Sequence, residues 1–290
     1  MSQVQYSAPA SIADAVALLG SGSSPSVLAG GTDLLVQLRG GRPKPTTFVD
    51  IKQIPELTTI DIGSETVTIG AAVPAAEITE HPQLRRLLPG VVEAVGLIGS
   101  TQIQGRATAG GNLCNASPAA DSVPAMVAAG GVCRVAGPNG ERAIPVEDFV
   151  TGPGKNVLQA GEFLVSIEFS YPAPGSADAY LRFIPRTEMD IAVAGAGVSL
   201  TLDGGGLCTA ARVAIGAVAP TVLLVPAAAD ALVGSRLEDA ALAAAGAAAS
   251  AAASPIDDKR GTVEYRKTVV GVLTRRAAAI AYNRAQGGAS

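Results

Sequence analysis

Histidine and cysteine are scarce in this sequence. Its 290 residues include one histidine, His81, and three cysteines, Cys114, Cys133 and Cys208. A zinc site built on several imidazoles therefore lacks ligands, and a Ser-His-Asp triad has no histidine to use except His81. The cysteines form no C-x-x-C pair and are fewer than the four thiolates that an iron-sulfur cluster needs. We expect His81, which precedes a proline between two helical segments, to be a surface or capping residue.

Basic runs and long hydrophobic runs are also missing. The net charge is −4, and no Lys/Arg-rich run offers a footprint for phosphates, so we expect no nucleic-acid partner. The longest uncharged stretches, residues 213–229 and 240–256, are shorter than the roughly 20 apolar residues of a spanning helix. The first residues do not resemble a signal peptide. These features predict a cytoplasmic protein without an integral membrane segment.

Apolar residues make up 48% of the chain and charged residues 16%, a composition that excludes disorder. A chain of this length buries roughly 75% of its unfolded surface on folding. The composition therefore predicts one or two densely packed domains.

The pattern along the chain predicts an α+β fold in two domains. Residues 1–55 alternate between strands and helices, and Ser11 with Asp14 three residues later is typical of a helix N-terminus. Strand alternation at residues 66–70 and helical spacing at residues 75–98, broken by Pro89-Gly90, begin a second lobe over residues 56–174. The Pro- and Gly-rich residues 171–175 predict a linker.

The C-terminal domain is predicted over residues 175–290. Two alternating segments, 192–202 and 211–218, flank a glycine-rich turn and predict a β-hairpin. The alanine-rich residues 240–253 and the segment 262–282 predict helices. The basic face of the last helix is either solvated or a docking surface for a partner chain. The predicted domain is therefore an antiparallel sheet with helices.

Two glycine pairs, one in residues 29–33 (AGGTD) and one in residues 108–112 (TAGGN), are the candidates for ligand binding. Consecutive glycines can take positive φ and lack Cβ, so a ligand can approach the backbone and adjacent amides can converge on an anion. Such loops suit a diphosphate, and the hydroxyls of Thr32 and Thr108 could add donors. Neither pair matches the G-x-G-x-x-G fingerprint or the P-loop. Tight turns without a ligand are the alternative.

The longer string at residues 110–121 (GGNLCNASPAAD) resembles the FAD-binding medium subunit of the xanthine dehydrogenase and carbon monoxide dehydrogenase family. The resemblance covers nearly the whole chain. Further matches are residues 29–33, residues 186–192 and Glu264-Tyr265-Arg266, in the expected order. It implies a two-lobed FAD-binding domain of the p-cresol methylhydroxylase type, followed by a smaller α+β C-terminal domain.

The resemblance also implies which residues contact FAD. The two glycine segments would cradle the diphosphate and ribityl chain, and Asp121 would accept a hydrogen bond from a ribityl or ribose hydroxyl; capping of the following helix is its alternative role. Arg182 stands where many relatives carry lysine near the flavin ring, and Ile98 where some carry an aromatic residue. The implied cofactor-binding residues are Val27, Leu28, Ala29, Gly30, Gly31, Thr32, Asp33, Leu34, Ile98, Ile103, Thr108, Ala109, Gly110, Gly111, Asn112, Ser117, Asp121, Leu164, Arg182 and Asp190.

The function that the resemblance implies is electron transfer through non-covalently bound FAD. The molybdenum cofactor would lie on a large partner subunit and the 2Fe-2S clusters on a small iron-sulfur subunit, in a dimer of heterotrimers. The scarcity of thiolates agrees with this division. Two alternatives are a stand-alone flavin oxidase or reductase, for which His81 is the sole histidine for flavin attachment, and a flavin-free scaffold.

Overall fold

The computed structural model describes residues 4–21, 24–41, 43 and 45–287. Residues 1–3 and 288–290, at which the predicted domains begin and end, lie outside the described residues. No helix in the described part of the chain is long and apolar enough to cross a membrane.

The amino-terminal lobe has the predicted alternation of strands and helices. Ser11 caps the first helix, since its Oγ accepts a hydrogen bond from the Asp14 amide at 3.1 Å. The three strands form a parallel sheet in the order β1-β3-β2, and a small core that includes Ala15 and Val49 lies beneath it. The elements are β1 (Gln5–Ser7), α1 (Ile12–Ser21), β2 (Pro25–Leu28), α2 (Leu34–Arg39), β3 (Thr47–Asp50) and two 3₁₀ helices (Ile51–Gln53 and Pro55–Leu57).

The second lobe is built on a five-stranded antiparallel sheet in the order β4-β5-β10-β6-β7. Its helices pack on this sheet over the largest core of the described chain. A separate two-stranded ribbon, β8 with β9, lies outside the sheet. The elements are β4 (Ile60–Ile62), β5 (Thr66–Gly70), α3 (Ala75–Glu80), α4 (Pro82–Leu87), α5 (Pro89–Val95), α6 (Thr101–Gln104), α7 (Ala109–Cys114), α8 (Ser122–Ala128), β6 (Val132–Gly137), β7 (Gly140–Pro145), α9 (Val146–Phe149), β8 (Val150–Gly152), β9 (Lys155–Asn156) and β10 (Phe163–Ser170).

Prolines divide the helical segment at residues 75–98 into three helices. Pro82 and Pro89 each occupy the first turn of a helix, where a missing N–H costs nothing because that donor has no intrahelical partner. His81 is the N-cap of α4, and its Nδ1 accepts from the Leu84 amide at 3.2 Å. The capping role predicted for this histidine is therefore confirmed.

The carboxy-terminal part of the chain is a four-stranded antiparallel sheet, β11-β12-β13-β14, covered by helices. The predicted hairpin is confirmed as β12 and β13, and Asp203 closes its turn by accepting from the Gly205 and Leu207 amides at 2.8 Å each. The two predicted helices are also present. The elements are β11 (Ser176–Phe183), β12 (Ala194–Leu202), β13 (Cys208–Gly216), β14 (Leu223–Leu224), α10 (Pro226–Asp230), α11 (Asp239–Ala252) and α12 (Val263–Ala285).

The basic face predicted on the last helix is only partly in solvent. Arg275 and Arg276 are exposed, but Arg266 is 3% exposed. Its guanidinium donates to the Val193 carbonyl at 2.8 Å and to Asp258 Oδ1 at 2.6 Å. Arg266 therefore fastens α12 to neighbouring loops, and neither of the two roles predicted for the basic face applies to it.

Helices α5 and α8 lie directly against the C-terminal sheet, because glycines remove the side chains that would separate them. An ideal Cβ on Gly90 would be 2.7 Å from the Ala179 amide nitrogen, and one on Gly197 would be 2.7 Å from the Pro124 carbonyl oxygen. Buried polar contacts fix the same surface: Asp178 accepts from the amide of Gly90 at 2.9 Å. The two halves of the described chain therefore share one close-packed interface.

Candidate functional site

The two glycine pairs meet in space although 80 residues separate them in sequence. The first follows β2, at the carboxyl end of the parallel sheet, and the second lies in the first turn of α7. An ideal Cβ on Gly30 would be 2.0 Å from the Arg106 carbonyl oxygen, so only glycine permits this approach. The first glycine segment thus packs directly on the residues that precede the second glycine segment.

Only one of the four glycines has the positive φ that the sequence suggested for such pairs. Gly31 has φ +75°, whereas Gly30, Gly110 and Gly111 do not lie in that region. Gly110 is instead required for packing, since an ideal Cβ there would be 2.5 Å from the Ala71 carbonyl oxygen. The second pair also lies within a helix, which corrects the expectation that both glycine segments are loops.

A cleft with a volume of about 230 Å³ lies between the two glycine segments and opens to solvent. Its walls come from the sheet ends of the first lobe, from α7 and from β10. Thirteen of the twenty predicted residues line it: Val27, Ala29, Gly30, Gly31, Thr32, Asp33, Leu34, Ile98, Thr108, Gly110, Gly111, Asn112 and Leu164. The cleft is therefore the candidate site.

Backbone amides of both glycine segments remain available for a ligand. In the described part of the chain, the amides of residues 30–33 and of Gly110 donate to no backbone or side-chain acceptor. Thr108 Oγ1 accepts from the Gly111 amide at 2.8 Å, which leaves the hydroxyl proton free to donate elsewhere. Converging N–H donors of this kind attract an anion.

Seven predicted residues lie outside the cleft lining. Leu28 and Ala109 are sequence neighbours of residues that line the cleft. Ile103 packs against Gly99, because an ideal Cβ on Gly99 would be 2.9 Å from Ile103 Cγ2. Ser117 Oγ accepts from the Ala119 amide at 3.3 Å. The cleft therefore does not bring these four residues to its surface, and the remaining three form two separate ion-pair clusters.

Asp121 and Arg182 form the first cluster. Arg182 on β11 donates from Nη1 to Asp121 Oδ2 at 2.6 Å, and both side chains are nearly buried. Burial raises the pKa of Asp121 to about 6, although the Arg182 charge opposes this shift. Asp121 stands at the N-cap of α8, but its side chain makes no capping hydrogen bond, so the capping role considered for it is wrong.

Asp190 forms the second cluster, on the loop between β11 and β12. Its carboxylate pairs with Arg186 at 3.2 Å and with Arg260 at 3.3 Å. Hydrogen bonds from the Ile191 amide and from these arginines hold its pKa below the usual range. The carboxylate is therefore used to fasten its own loop.

Sequence reasoning missed nine residues that line the cleft. Cys114 and Asn115 belong to the string at residues 110–121, and Ile51 follows a strand of the same parallel sheet, so their positions carried a signal. The others needed the three-dimensional fold. The full set of missed residues is Ser26, Gln37, Ile51, Ala71, Ala107, Cys114, Asn115, Leu158 and Phe163.

Metal ligands and reactive thiols are not gathered at this cleft. Among the described residues, no group of three or more His, Cys, Asp or Glu side chains is placed to hold a metal ion. The three cysteines are free thiols, and burial raises the pKa of Cys114 to about 12. A thiol with such a pKa is protonated at neutral pH and is a poor nucleophile.

Comparison with known proteins agrees with this geometry. The family model "FAD binding domain in molybdopterin dehydrogenase" matches residues 2–172, and "CO dehydrogenase flavoprotein C-terminal domain" matches residues 179–281. The carbon monoxide dehydrogenase medium chain of Hydrogenophaga pseudoflava is 34% identical over 97% of each chain. A putative xanthine dehydrogenase FAD-binding subunit of Escherichia coli is 31% identical over 93% of each chain.

A solved structure has the same fold over almost the whole length. It is a carbon monoxide dehydrogenase from Hydrogenophaga pseudoflava, in a form that lacks the Mo-pyranopterin moiety of the molybdenum cofactor. The TM-score is 0.92 at 35% identity, and the match covers 97% of this chain and 98% of that chain. The chain therefore belongs to the FAD-binding family of the molybdopterin dehydrogenases.

Proposed function

We propose that this chain is the FAD-carrying electron-transfer subunit of a heteromeric molybdenum hydroxylase. It accepts electrons from the iron-sulfur clusters of a small subunit and passes them to an external acceptor. The observation that carries the proposal is the cleft at which two double-glycine segments meet with free backbone amides.

The cleft suits the diphosphate of FAD. The amides of residues 30–33 and of Gly110 supply several N–H donors without side chains that would fill the space between them. An ideal Cβ on Gly111 would stand 2.9 Å from Thr108 Oγ1, so any side chain there would intrude on the same donors. The hydroxyl of Thr108 is a further donor to an anionic oxygen.

Other residues would orient the remainder of the cofactor. Ile98 and Leu164 give the cleft an apolar wall suited to a planar ring. In the described chain, Asp121 Oδ1 is buried and has no hydrogen-bond partner, which matches the proposed acceptor for a ribityl or ribose hydroxyl. Arg182, paired with Asp121, would hold a fixed positive charge near the flavin ring; the roles of Asp121, Arg182 and Asp190 stay predictions.

Bound FAD supplies the redox chemistry, and the residues of this chain bind and orient it. The sequence has too few thiolates for an iron-sulfur cluster. We therefore place the 2Fe-2S clusters on a small partner subunit and the molybdenum cofactor on a large one. The organic substrate belongs to the large subunit.

The stand-alone flavin oxidase has less support from the site. His81 is the single histidine of the sequence, it does not line the cleft, and its Nδ1 is engaged in capping α4. No histidine is thus available at the cleft for a covalent bond to the flavin. Non-covalent binding is the form that the site favours.

Three further expectations belong to the proposal. We place the domain boundary near residues 174–175, supported by the end of β10 at Ser170, the start of β11 at Ser176, and the gap between the two family matches. A dimer of heterotrimers follows from the family resemblance and is tested by native mass. A cytoplasmic location stays a prediction.

The test is purification of the chain with whatever chains accompany it. We expect flavin absorption at roughly 370 and 450 nm, from the chemistry of the cofactor, and release of the flavin when the protein is denatured. Mass spectrometry should find an iron-sulfur chain and a molybdenum-cofactor chain. A colourless assembly, a flavin bound to another chain, or turnover by this chain without molybdenum or iron would overturn the proposal.

A further inference from the structure

The partly exposed side chain of Lys52 is a tether for the first glycine segment. Its Nζ lies 2.8 Å from the Ala29 carbonyl oxygen and 2.6 Å from Asp50 Oδ1. The second carboxylate oxygen of Asp50 accepts from the Tyr6 hydroxyl at 2.6 Å. Lys52 itself does not line the cleft. Asp50 therefore holds the Lys52 ammonium in one place, and the ammonium donates a second hydrogen bond to a single backbone carbonyl.

This hydrogen bond determines how the following peptide is oriented. A trans peptide is planar, so the carbonyl of Ala29 and the N–H of Gly30 point in opposite directions. Because the carbonyl points toward Lys52, the N–H points away from it. Ala29, Gly30 and Gly31 line the cleft whereas Lys52 does not, and the Gly30 amide has no acceptor among the described residues, both of which agree with an N–H that faces the cleft.

The tether matters because glycine peptides reorient easily. Gly30 and Gly31 lack the Cβ that restricts other residues. If the Ala29–Gly30 peptide turned over, it would present a carbonyl oxygen, with its partial negative charge, to an anion in the cleft. The Arg106 carbonyl oxygen also packs against Gly30, 2.0 Å from the position of an ideal Cβ. That contact excludes a larger side chain at residue 30 but does not orient the peptide.

We propose that Lys52 is a positioning residue that holds the Ala29–Gly30 peptide so that the Gly30 amide donates to the FAD diphosphate. The inference rests on the proposed function. Lys52 acts through the backbone and not by touching the cofactor, since its charge is already paired with Asp50. Burial disfavours the charged form of Asp50, but hydrogen bonds from Lys52 and Tyr6 hold its pKa below the usual value, so the Asp50 carboxylate stays ionised at neutral pH.

The experiment measures the FAD dissociation constant of the full chain after its flavin has been stripped. Lys52→Met removes the donor and keeps the length of the side chain, so we expect FAD binding to weaken by on the order of tenfold to a hundredfold, the loss typical of a hydrogen bond from a charged group. Lys52→Arg keeps a cationic donor and should recover most of the affinity. Lys259→Met removes an exposed lysine from the carboxy-terminal half and should bind FAD as the wild type does.

The controls separate the possible failures. Thermal unfolding of the flavin-free variants shows whether Lys52→Met folds; if it does not, Lys52→Gln replaces it, with the same measurement and a smaller expected loss. An affinity for FAD within twofold of the wild type in the folded variant overturns the role of Lys52. A Lys52→Arg variant as weak as Lys52→Met also overturns it. A wild-type chain that binds no FAD overturns the proposed function instead.

Discussion

Arg182 donates to one carboxylate oxygen of Asp121 at 2.6 Å, whereas the other oxygen of Asp121 is buried and has no partner among the described residues. The pair joins β11 of the C-terminal sheet to the N-cap of α8 in the FAD-binding part of the chain. The side chain of Asp121 is 11% exposed and that of Arg182 is 7% exposed. Water therefore screens this pair weakly.

Removal of Asp121 should destabilise the fold through the charge that it leaves behind. In Asp121→Ala, the Arg182 guanidinium stays buried without a counter-charge, and breaking a buried pair in this way costs about 3–5 kcal/mol. Urea unfolding of the flavin-free chain measures the change in the free energy of unfolding.

The double variant shows whether the lost stability comes from the unpaired Arg182 charge or from the loss of the Asp121 side chain itself. In Asp121→Ala with Arg182→Met, neither charge is buried, so we expect most of the lost stability to return. A double variant as unstable as Asp121→Ala would show that the destabilisation does not come from the unpaired arginine.

Gly111→Val should abolish FAD binding while most of the fold remains. The β-branched side chain would project beside Thr108 Oγ1, which stands 2.9 Å from an ideal Cβ, and would obstruct the diphosphate. Flavin occupancy of the purified chain is the measurement. Gly105→Val is the matched control, because an ideal Cβ at Gly105 meets no atom within 4 Å and Gly105 does not line the cleft. Unchanged flavin occupancy in Gly111→Val would contradict the site.

Local features of the fold were predictable because they depend on neighbours in sequence. Ser11 caps the first helix, a glycine-rich turn joins the two hairpin strands, and the alanine-rich segment forms α11, all as the sequence indicates. Each depends on side chains within a few residues of the structure that they stabilise.

Long-range features were not predictable. Arg182 and Asp121 are 61 residues apart, and the seating of Gly30 on the Arg106 carbonyl joins segments 76 residues apart. The glycine motifs identified the loops, but only the folded backbone shows that Gly30 and Gly110 serve close packing while Gly31 serves a positive φ. Lys52 carried no sequence signal, since its contact is with a main-chain carbonyl.

The stability of the chain should fall as the pH rises toward 7, because of Asp178. Burial raises the pKa of this carboxyl to about 7 from an ordinary value of 3.8, and nearby Glu93 adds to the shift although the Gly90 and Val91 amides and Arg284 oppose it. Between these values the native state holds a proton that the unfolded chain releases. The contribution of Asp178 to the free energy of unfolding therefore decreases with pH over that range and changes no further well above about 7.

The melting temperature as a function of pH checks this expectation. Asp178→Asn cannot ionise, so its melting temperature should fall less than that of the wild type between about pH 4 and 7. Asp121, whose pKa is raised to about 6, contributes in the same direction, so part of the slope should remain. Parallel pH profiles for Asp178→Asn and the wild type would contradict the assignment.

Gly197→Ala should destabilise the interface between the two halves of the chain. An ideal Cβ at this position would be 2.7 Å from the Pro124 carbonyl oxygen of α8, a main-chain atom that cannot move unless the helix does. Overpacking of this kind costs typically about 1–3 kcal/mol. Because α8 begins directly after Asp121, the shift should also disturb the Arg182 pair and weaken FAD binding.

Gly204→Ala is the matched control for Gly197→Ala. It makes the same chemical change in the hairpin turn, where an ideal Cβ meets no atom within 4 Å. We expect its urea midpoint and its FAD dissociation constant to stay close to those of the wild type. If Gly197→Ala also keeps the wild-type midpoint, α8 does not pack on the sheet as closely as the backbone contact requires. That result would contradict the close-packed interface between the two halves.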